Sequence, residues 1–207
     1  MEPKPYILQE TNWKTVKETN YQVAVLPWGA TEAHNYHLPF GTDNIQNEHV
    51  AAEAARLAWG QGAKVVVLPN MPFGANCQQV DIKLTINLNP STQHLVLHDV
   101  IDSLDQQGVK KLVILNGHGG NEFKQMIREL SMDFPDMFIC QVHWFLVEPD
   151  WGKYFEDVGD HAGEMETSIM MHIAPDWVLP LDMAGDGTAK KLTFEGRQEG
   201  WLWAPRQ

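Results

Sequence analysis

Short apolar runs alternate along the chain with segments in which apolar residues recur every three or four positions. Four runs are rich in Val, Ile and Leu at consecutive positions, which is typical of parallel strands buried on both faces. These predicted strands cover residues 23–26, 65–68, 112–115 and 137–142. Helical spacing in the segments between them predicts an α/β layered fold.

Four segments have the spacing and the boundary residues of helices. They cover residues 44–59, 91–104, 123–132 and 164–173. Gly60 and Gly108 follow the first two segments as stop signals, and Pro135 and Pro175 follow the last two. Residues 83–88 alternate polar and apolar side chains instead, which predicts an edge or antiparallel strand.

Composition and charge narrow the classes of function. The 207 residues contain 15 Lys and Arg against 27 Asp and Glu, a net charge of −12, which disfavours binding to nucleic acids or to anionic membrane surfaces. No apolar stretch approaches the roughly 20 residues of a membrane span. Two distant cysteines, Cys77 and Cys140, fit a reducing compartment, so we expect a cytoplasmic protein.

We expect one domain over residues 1–207, because this length is ordinary for a single hydrophobic core. The pattern weakens after Asp176, and the aromatic residues Trp201 and Trp203 have no predicted element. Either the chain is shortened at its C-terminus or this segment packs on a neighbouring subunit.

The first group of chemically interesting residues follows the first predicted strand, in the segment PWGATEAHNYHLPFGTD at positions 27–43. Glu32 and His34 lie two positions apart, so in extended backbone their side chains point the same way. Asp43 opens the next predicted helix. Two carboxylates and an imidazole suit a divalent metal ion of the zinc or manganese type. Alternatively, Asp43 caps the helix and His34 is a solvated loop residue.

The second group, NGHGGN at positions 116–121, directly follows the third predicted strand. Its glycines allow the backbone to turn sharply and to approach a ligand, and they leave His118 as the only large group presented. A glycine-rich loop that opens a helix can also bind phosphate. Metal binding is favoured here, because no Lys follows and the net charge is negative.

The third group, HAGEMETS at positions 161–168, opens the fourth predicted helix. His161 is a candidate proton carrier, since the ordinary pKa of histidine lies near neutrality. Glu166 is a candidate metal ligand or general base, although the helix dipole alone would favour a carboxylate there. Trp144 follows the last predicted strand, where it could line a substrate pocket together with Gly119 and Gly120.

These three groups together resemble the creatininase (creatinine amidohydrolase) family. The family pattern reads P-x-G-x-x-E-x-H-x-x-H-L-P-x-x-T-D, then N-G-H-G-G-N, then H-A-G-x-x-E-T-S. All three blocks occur in this order between positions 27 and 168. The resemblance implies a three-layer α/β/α sandwich with a mostly parallel sheet, assembled as a hexamer. It also implies a hydrolase with two divalent metal ions that acts on non-peptide carbon–nitrogen bonds of cyclic or linear amides.

The resemblance also assigns ligands to the two ions, which would be zinc, manganese or iron. Glu32, Asp43 and His118 would hold one ion, and His34 and Asp43 would hold the second. In creatininase a glutamate two residues after the glycine-loop histidine completes the second site. Gly120 occupies that position here, and Glu166 is the candidate replacement.

The expected activity is hydrolysis of an amide by a water molecule that two metal ions activate. His161 would donate a proton to the leaving nitrogen, and Glu166 would act as ligand or base. The alternative is a catalytically inactive metal-binding or regulatory module that kept the fold. The substrate contacts are expected in loops such as residues 74–81, where the chain departs from many relatives.

Overall fold

A four-stranded parallel sheet forms the centre of the structure, a computed structural model that describes residues 4–157, 159–187 and 194–204. The spatial order of the strands is β2-β1-β3-β4, and every neighbouring pair is parallel. Their bounds are β1 Val23–Trp28, β2 Val65–Val67, β3 Lys111–Asn116 and β4 Phe138–His143. The four strands predicted from apolar runs are therefore confirmed, and no strand end differs from its prediction by more than two residues.

Six α-helices accompany the sheet in the described part of the chain. They are α1 Trp13–Glu18, α2 Thr42–Gly60, α3 Pro90–Gln106, α4 Lys124–Asp133, α5 Glu164–Ile173 and α6 Glu195–Gln198. The four predicted helices correspond to α2 through α5. None of the helices in the described ranges is both long and apolar enough to cross a membrane.

Each strand contributes side chains alternately to two hydrophobic clusters, one on each face of the sheet. In β1, Ala24 and Leu26 join the cluster formed with α3 and α4, whereas Val23 and Val25 contact the cluster formed with α2 and α5. Helices thus cover both faces, which explains why the strands are apolar at consecutive positions. The predicted α/β sandwich is confirmed.

The predicted strand over residues 83–88 is wrong. This segment forms turns, and only Ile86 makes a single antiparallel bridge, to Thr31. Leu84 has a positive φ of 70°, which is incompatible with a continuous strand. The side chain of Asn76 also donates to the carbonyl of Ile86, so a side chain takes the place of a partner strand.

The order of connections determines where a ligand would bind. The chain leaves β1 through α2 to reach β2 on one side, and leaves β2 through α3 to reach β3 on the other side of β1. The carboxyl ends of β1 and β3 therefore border the point at which the connections diverge. In open α/β sheets a crevice opens at this point, and ligands bind there.

Candidate metal centre

Four predicted metal ligands lie together at the carboxyl ends of β1 and β3. Glu32 and His34 lie in the loop after β1, Asp43 lies in the first turn of α2, and His118 follows β3. All four side chains are buried. Groups so polar are buried only when they are paired with each other or with a cation.

His118 faces two carboxylates with one nitrogen and a backbone carbonyl with the other. Its Nδ1 lies 2.9 Å from Glu32 Oε1 and 3.1 Å from Asp43 Oδ2. Its Nε2 lies 3.1 Å from the carbonyl oxygen of Ala75. Because a carbonyl can only accept, Nε2 carries the proton that this hydrogen bond needs, and Nδ1 is directed at the carboxylates.

His34 repeats this arrangement on the opposite side of Asp43. Its Nε2 lies 3.0 Å from Asp43 Oδ1 and 3.7 Å from Glu166 Oε1. Its Nδ1 lies 3.2 Å from the backbone carbonyl of Glu32 and donates to it. The two oxygens of Asp43 therefore face two different histidines, as a bridging carboxylate would require.

The electrostatics favour positive charge beside each histidine. Burial alone would lower the pKa of His118, but the carboxylates of Asp43 and Glu32 outweigh it and raise this pKa to about 10. For His34, Asp43 and Glu166 likewise overcome burial and raise the pKa well above its ordinary value. Burial would raise the pKa of the Asp43 carboxyl, but the adjacent His118 and His34 hold it well below its usual range. The space between each histidine and its neighbouring carboxylates is thus suited to a proton or to a metal cation.

The residues present fit a divalent cation. Ligand atoms of Glu32, Asp43 and His118 lie within 4.8 Å of one another, and the same holds for His34, Asp43 and Glu166. Histidines that bind metals usually donate their second ring N–H to a carbonyl or carboxylate, as His34 and His118 do here. Asp43 Oδ2 is buried without a well-formed hydrogen bond, although His118 Nδ1 is close, so this oxygen is available as a ligand.

His161 and Glu166 lie at the rim of this cluster. The His161 ring centroid lies 4.3 Å from that of His34, and His161 Nδ1 lies 3.9 Å from Glu32 Oε1. His161 Nε2 donates to the carbonyl of Ala33 at 2.7 Å. Glu166 Oε2 accepts a hydrogen bond from the backbone N–H of Ala162, which leaves Oε1 directed at His34. The structure therefore brings both predicted catalytic residues to the cluster.

The three residues predicted to contact substrate lie in different environments. Gly119 and Gly120 are exposed in the loop after β3. A Cβ at Gly120 would collide with the Ala75 carbonyl and with His118 Nε2, so this backbone cannot carry a ligand side chain there. Trp144 is buried in the cluster beneath α5, close to Phe145. Substrate contact by these residues stays a prediction.

The motifs did not single out Gln79, which lies in the connection after β2 and contacts the centre. Its Nε2 donates to Glu32 Oε2 at 2.5 Å. The position of this connection, after the carboxyl end of a third strand, is a signal that could have directed attention to it. Several polar residues follow one another there, however, and their spacing does not distinguish Gln79 from Gln78.

Fold and centre together define an α/β protein with a cage of buried carboxylates and histidines at the carboxyl end of a parallel sheet. The chain belongs to the creatininase family, since the sequence model of this family, described as creatinine amidohydrolase, matches residues 9–207. The resemblance drawn from the three motifs is thereby confirmed.

Solved structures of two related proteins are also similar to this chain. The solved structure of a creatinine-amidohydrolase-like protein from Bacteroides fragilis is 44% identical, has a TM-score of 0.91, and is matched over 100% of this chain and 81% of that chain. A creatininase mutant of zinc–zinc type is 26% identical with a TM-score of 0.73, over 91% of this chain and 80% of that chain.

A curated relative, the mycofactocin precursor peptide peptidase of Mycolicibacterium smegmatis, is 29% identical over 172 residues. The match covers 81% of this chain but only 64% of that protein. The family therefore contains proteins named for hydrolysis of a cyclic amide and of a peptide.

Proposed function

We propose that the protein is a metal-dependent hydrolase that cleaves a carbon–nitrogen bond of a cyclic or linear amide. The observation that carries this proposal is the placement of Asp43. Its two buried oxygens face His118 and His34 separately, and each of these histidines donates its other ring N–H to a backbone carbonyl. This arrangement suits two cations that share one carboxylate.

Glu32, Asp43 and His118 would hold one divalent ion, and His34, Asp43 and Glu166 would hold the second. When bound, such a pair supplies an activated water molecule and polarises the carbonyl of the substrate. Carboxylate and imidazole ligands suit zinc, manganese and iron. The zinc–zinc form of the related creatininase supports this class of metal.

The reaction also needs a proton donor and room for the substrate, which His161 and the open side of the centre would provide. His161 has one nitrogen fixed on the Ala33 carbonyl, so Nδ1 is the atom at which it would give a proton to the leaving nitrogen. The exposed backbone of Gly119 leaves room for a substrate to approach, since nothing lies within 4 Å of the position of a Cβ there. The peptidase among the relatives means that peptides belong among the substrates to be tested, beside the non-peptide amides that we expect.

Replacing Asp43 tests the proposal. Asp43→Asn keeps the shape of the side chain but removes the charge that both sites share. We expect the metal content to fall from two ions per chain to one or none, and the hydrolytic rate to fall by at least about 100-fold. Elemental analysis of purified protein measures the first quantity. Assays with creatinine, other lactams, formamides and short peptides measure the second.

Asp99→Asn is the matched control, because the side chain of Asp99 is 88% exposed and contacts only His98 among the ion pairs of the described residues. Its metal content and rate should equal those of the wild-type protein. Full retention of both metal ions in folded Asp43→Asn protein would contradict the bridging role.

The second candidate function is a metal-binding or regulatory module without catalysis. Gly120 favours it, because this position lacks the glutamate of creatininase and its backbone has no room for a side chain. A wild-type protein that binds fewer than two ions and hydrolyses none of these compounds would support the module. Two bound ions with turnover of any of them would exclude it.

A further inference from the structure

The two oxygens of Glu32 lie in different environments. Oε1 faces His118 Nδ1 at 2.9 Å, on the side of the proposed metal ion. Oε2 accepts a hydrogen bond from Gln79 Nε2 at 2.5 Å. Glu32 itself is only 1% exposed, so its carboxylate cannot exchange these partners for solvent.

Elementary chemistry determines the orientation of the Gln79 amide. A carboxylate only accepts, so the NH₂ group and not the carbonyl of Gln79 must face Glu32. Gln79 Nε2 also lies 3.4 Å from His161 Nε2, but that nitrogen already donates to the Ala33 carbonyl. Two donors do not bond to each other, and the hydrogen bond of Gln79 therefore belongs to Glu32.

Hydrogen bonds hold the backbone around Gln79 in place. Its N–H donates to the Asn76 carbonyl at 3.0 Å, and its carbonyl accepts from the N–H of Ile82 at 3.0 Å. Asn76 is fully buried, and its own N–H donates to Asn87 Oδ1 at 2.8 Å. The side chain of Gln79 is thus presented to Glu32 from a fixed turn.

We propose that Gln79 is a positioning residue that holds Oε2 of Glu32, so that Glu32 offers only Oε1 to the cation shared with Asp43 and His118. This inference rests on the proposed function. Packing alone does not explain the choice of residue, because Gln79 Oε1 is buried with no hydrogen-bond partner in the described structure. An apolar side chain of the same length would fill the space without leaving that acceptor unpaired.

Gln79→Met tests the inference, because Met has nearly the same length but no donor. Freed from Gln79, the carboxylate of Glu32 can turn or present both oxygens. We expect the affinity for Zn²⁺, measured by competition with a chromophoric chelator, to fall about 10- to 100-fold. The visible absorption of the Co²⁺-loaded protein should also change, since it reports the number and arrangement of ligands.

Gln78→Met is the matched control, a neighbour of the same type whose only side-chain hydrogen bond in the described structure is a long contact with Cys77. Its Zn²⁺ affinity should stay within about twofold of wild type, and its Co²⁺ spectrum should be unchanged. Gln79→Asn keeps the amide but shortens its reach, so it should behave as Gln79→Met and serves if that variant does not fold.

The outcomes separate the two proposals. If the wild-type protein binds none of Zn²⁺, Mn²⁺ and Fe²⁺, the proposed function fails. If it binds Zn²⁺ and folded Gln79 variants bind equally well with the wild-type Co²⁺ spectrum, only the positioning role of Gln79 is overturned.

Discussion

Gly74 lies in the connection after β2 and packs against Gly29 and Ala30, which directly follow β1. A Cβ on this residue would lie 2.8 Å from the Cβ of Ala30 and 2.9 Å from both the Gly29 carbonyl and His118 Cδ2. Contacts this short force neighbouring atoms apart. We expect Gly74→Ala to lower the free energy of unfolding by about 1–3 kcal/mol, measured by denaturant titration. It should also weaken Zn²⁺ binding, because His118 must move.

Gly60→Ala is the control for this substitution. Gly60 is the last residue of α2, and nothing lies within 4 Å of the position of its Cβ. We expect this variant to be unchanged or stabilised by up to about 1 kcal/mol, since alanine favours helix more than glycine does. If Gly74→Ala has the same stability and the same Zn²⁺ affinity as the wild-type protein, the position of His118 does not depend on its close approach to Gly74.

At the scale of single residues, the members of the candidate metal centre were predictable and their orientation was not. Glu32, His34 and His118 carry metal-binding groups in the loops after β1 and β3, and Asp43 carries one in the first turn of α2. The groups that orient the two histidines are backbone carbonyls, of Ala75 and Glu32, and a carbonyl has no sequence signature.

At the scale of elements, Asn121 connects four separate segments. Its Oδ1 accepts from the N–H of Ala75 at 3.0 Å and from Gln93 Nε2 at 2.8 Å. Its Nδ2 donates to the Gly29 carbonyl at 3.2 Å and to Asn116 Oδ1 at 3.0 Å. Asn121 therefore ties the ends of β1 and β3 to α3 and to the loop whose carbonyl orients His118.

Asn121→Asp tests this connection with almost no change of shape. The new oxygen would face two acceptors in a buried site, so two hydrogen bonds are lost and repulsion is added. We expect the free energy of unfolding to fall by about 3 kcal/mol or more, measured by denaturant titration. Asn89→Asp is the control, because Asn89 is exposed at the N-cap of α3, where a negative charge is favourable. A similar loss in both variants would argue against the connecting role.

Elements were predictable where apolar periodicity decides the structure. Both faces of the sheet are covered, so consecutive apolar residues identified all four strands, and helix α5 matches its predicted range of 164–173. The prediction failed at residues 83–88, where alternation suggested a strand. The Asn76 side chain donates to the Ile86 carbonyl and the Asn87 side chain accepts from the Asn76 N–H, and these bonds hold the segment as a loop. Alternation carries no information about such bonds.

At the scale of the whole molecule, the family is established and several properties stay predictions. A cytoplasmic location and a single domain over residues 1–207 are among them. Residues 205–207 lie outside the described residues. Trp201 and Trp203 are largely exposed in the described structure, and packing of this segment on a neighbouring subunit stays a prediction.

Assembly into a hexamer is the largest-scale prediction, and exposed apolar side chains favour association. The seven-residue segment 177–183, which follows α5, contains four large apolar side chains that are each 46–60% exposed: Trp177, Leu179, Leu181 and Met183. Such a concentration is uncommon on monomers. We expect the mass in solution, measured by light scattering, to equal six chains, and Leu181→Asp to reduce it because a charge would be buried in the interface. Met132→Asp, at an 81% exposed position on α4, should leave the mass unchanged. A monomeric wild-type protein would contradict the prediction, and an unchanged mass for Leu181→Asp would place the interface elsewhere.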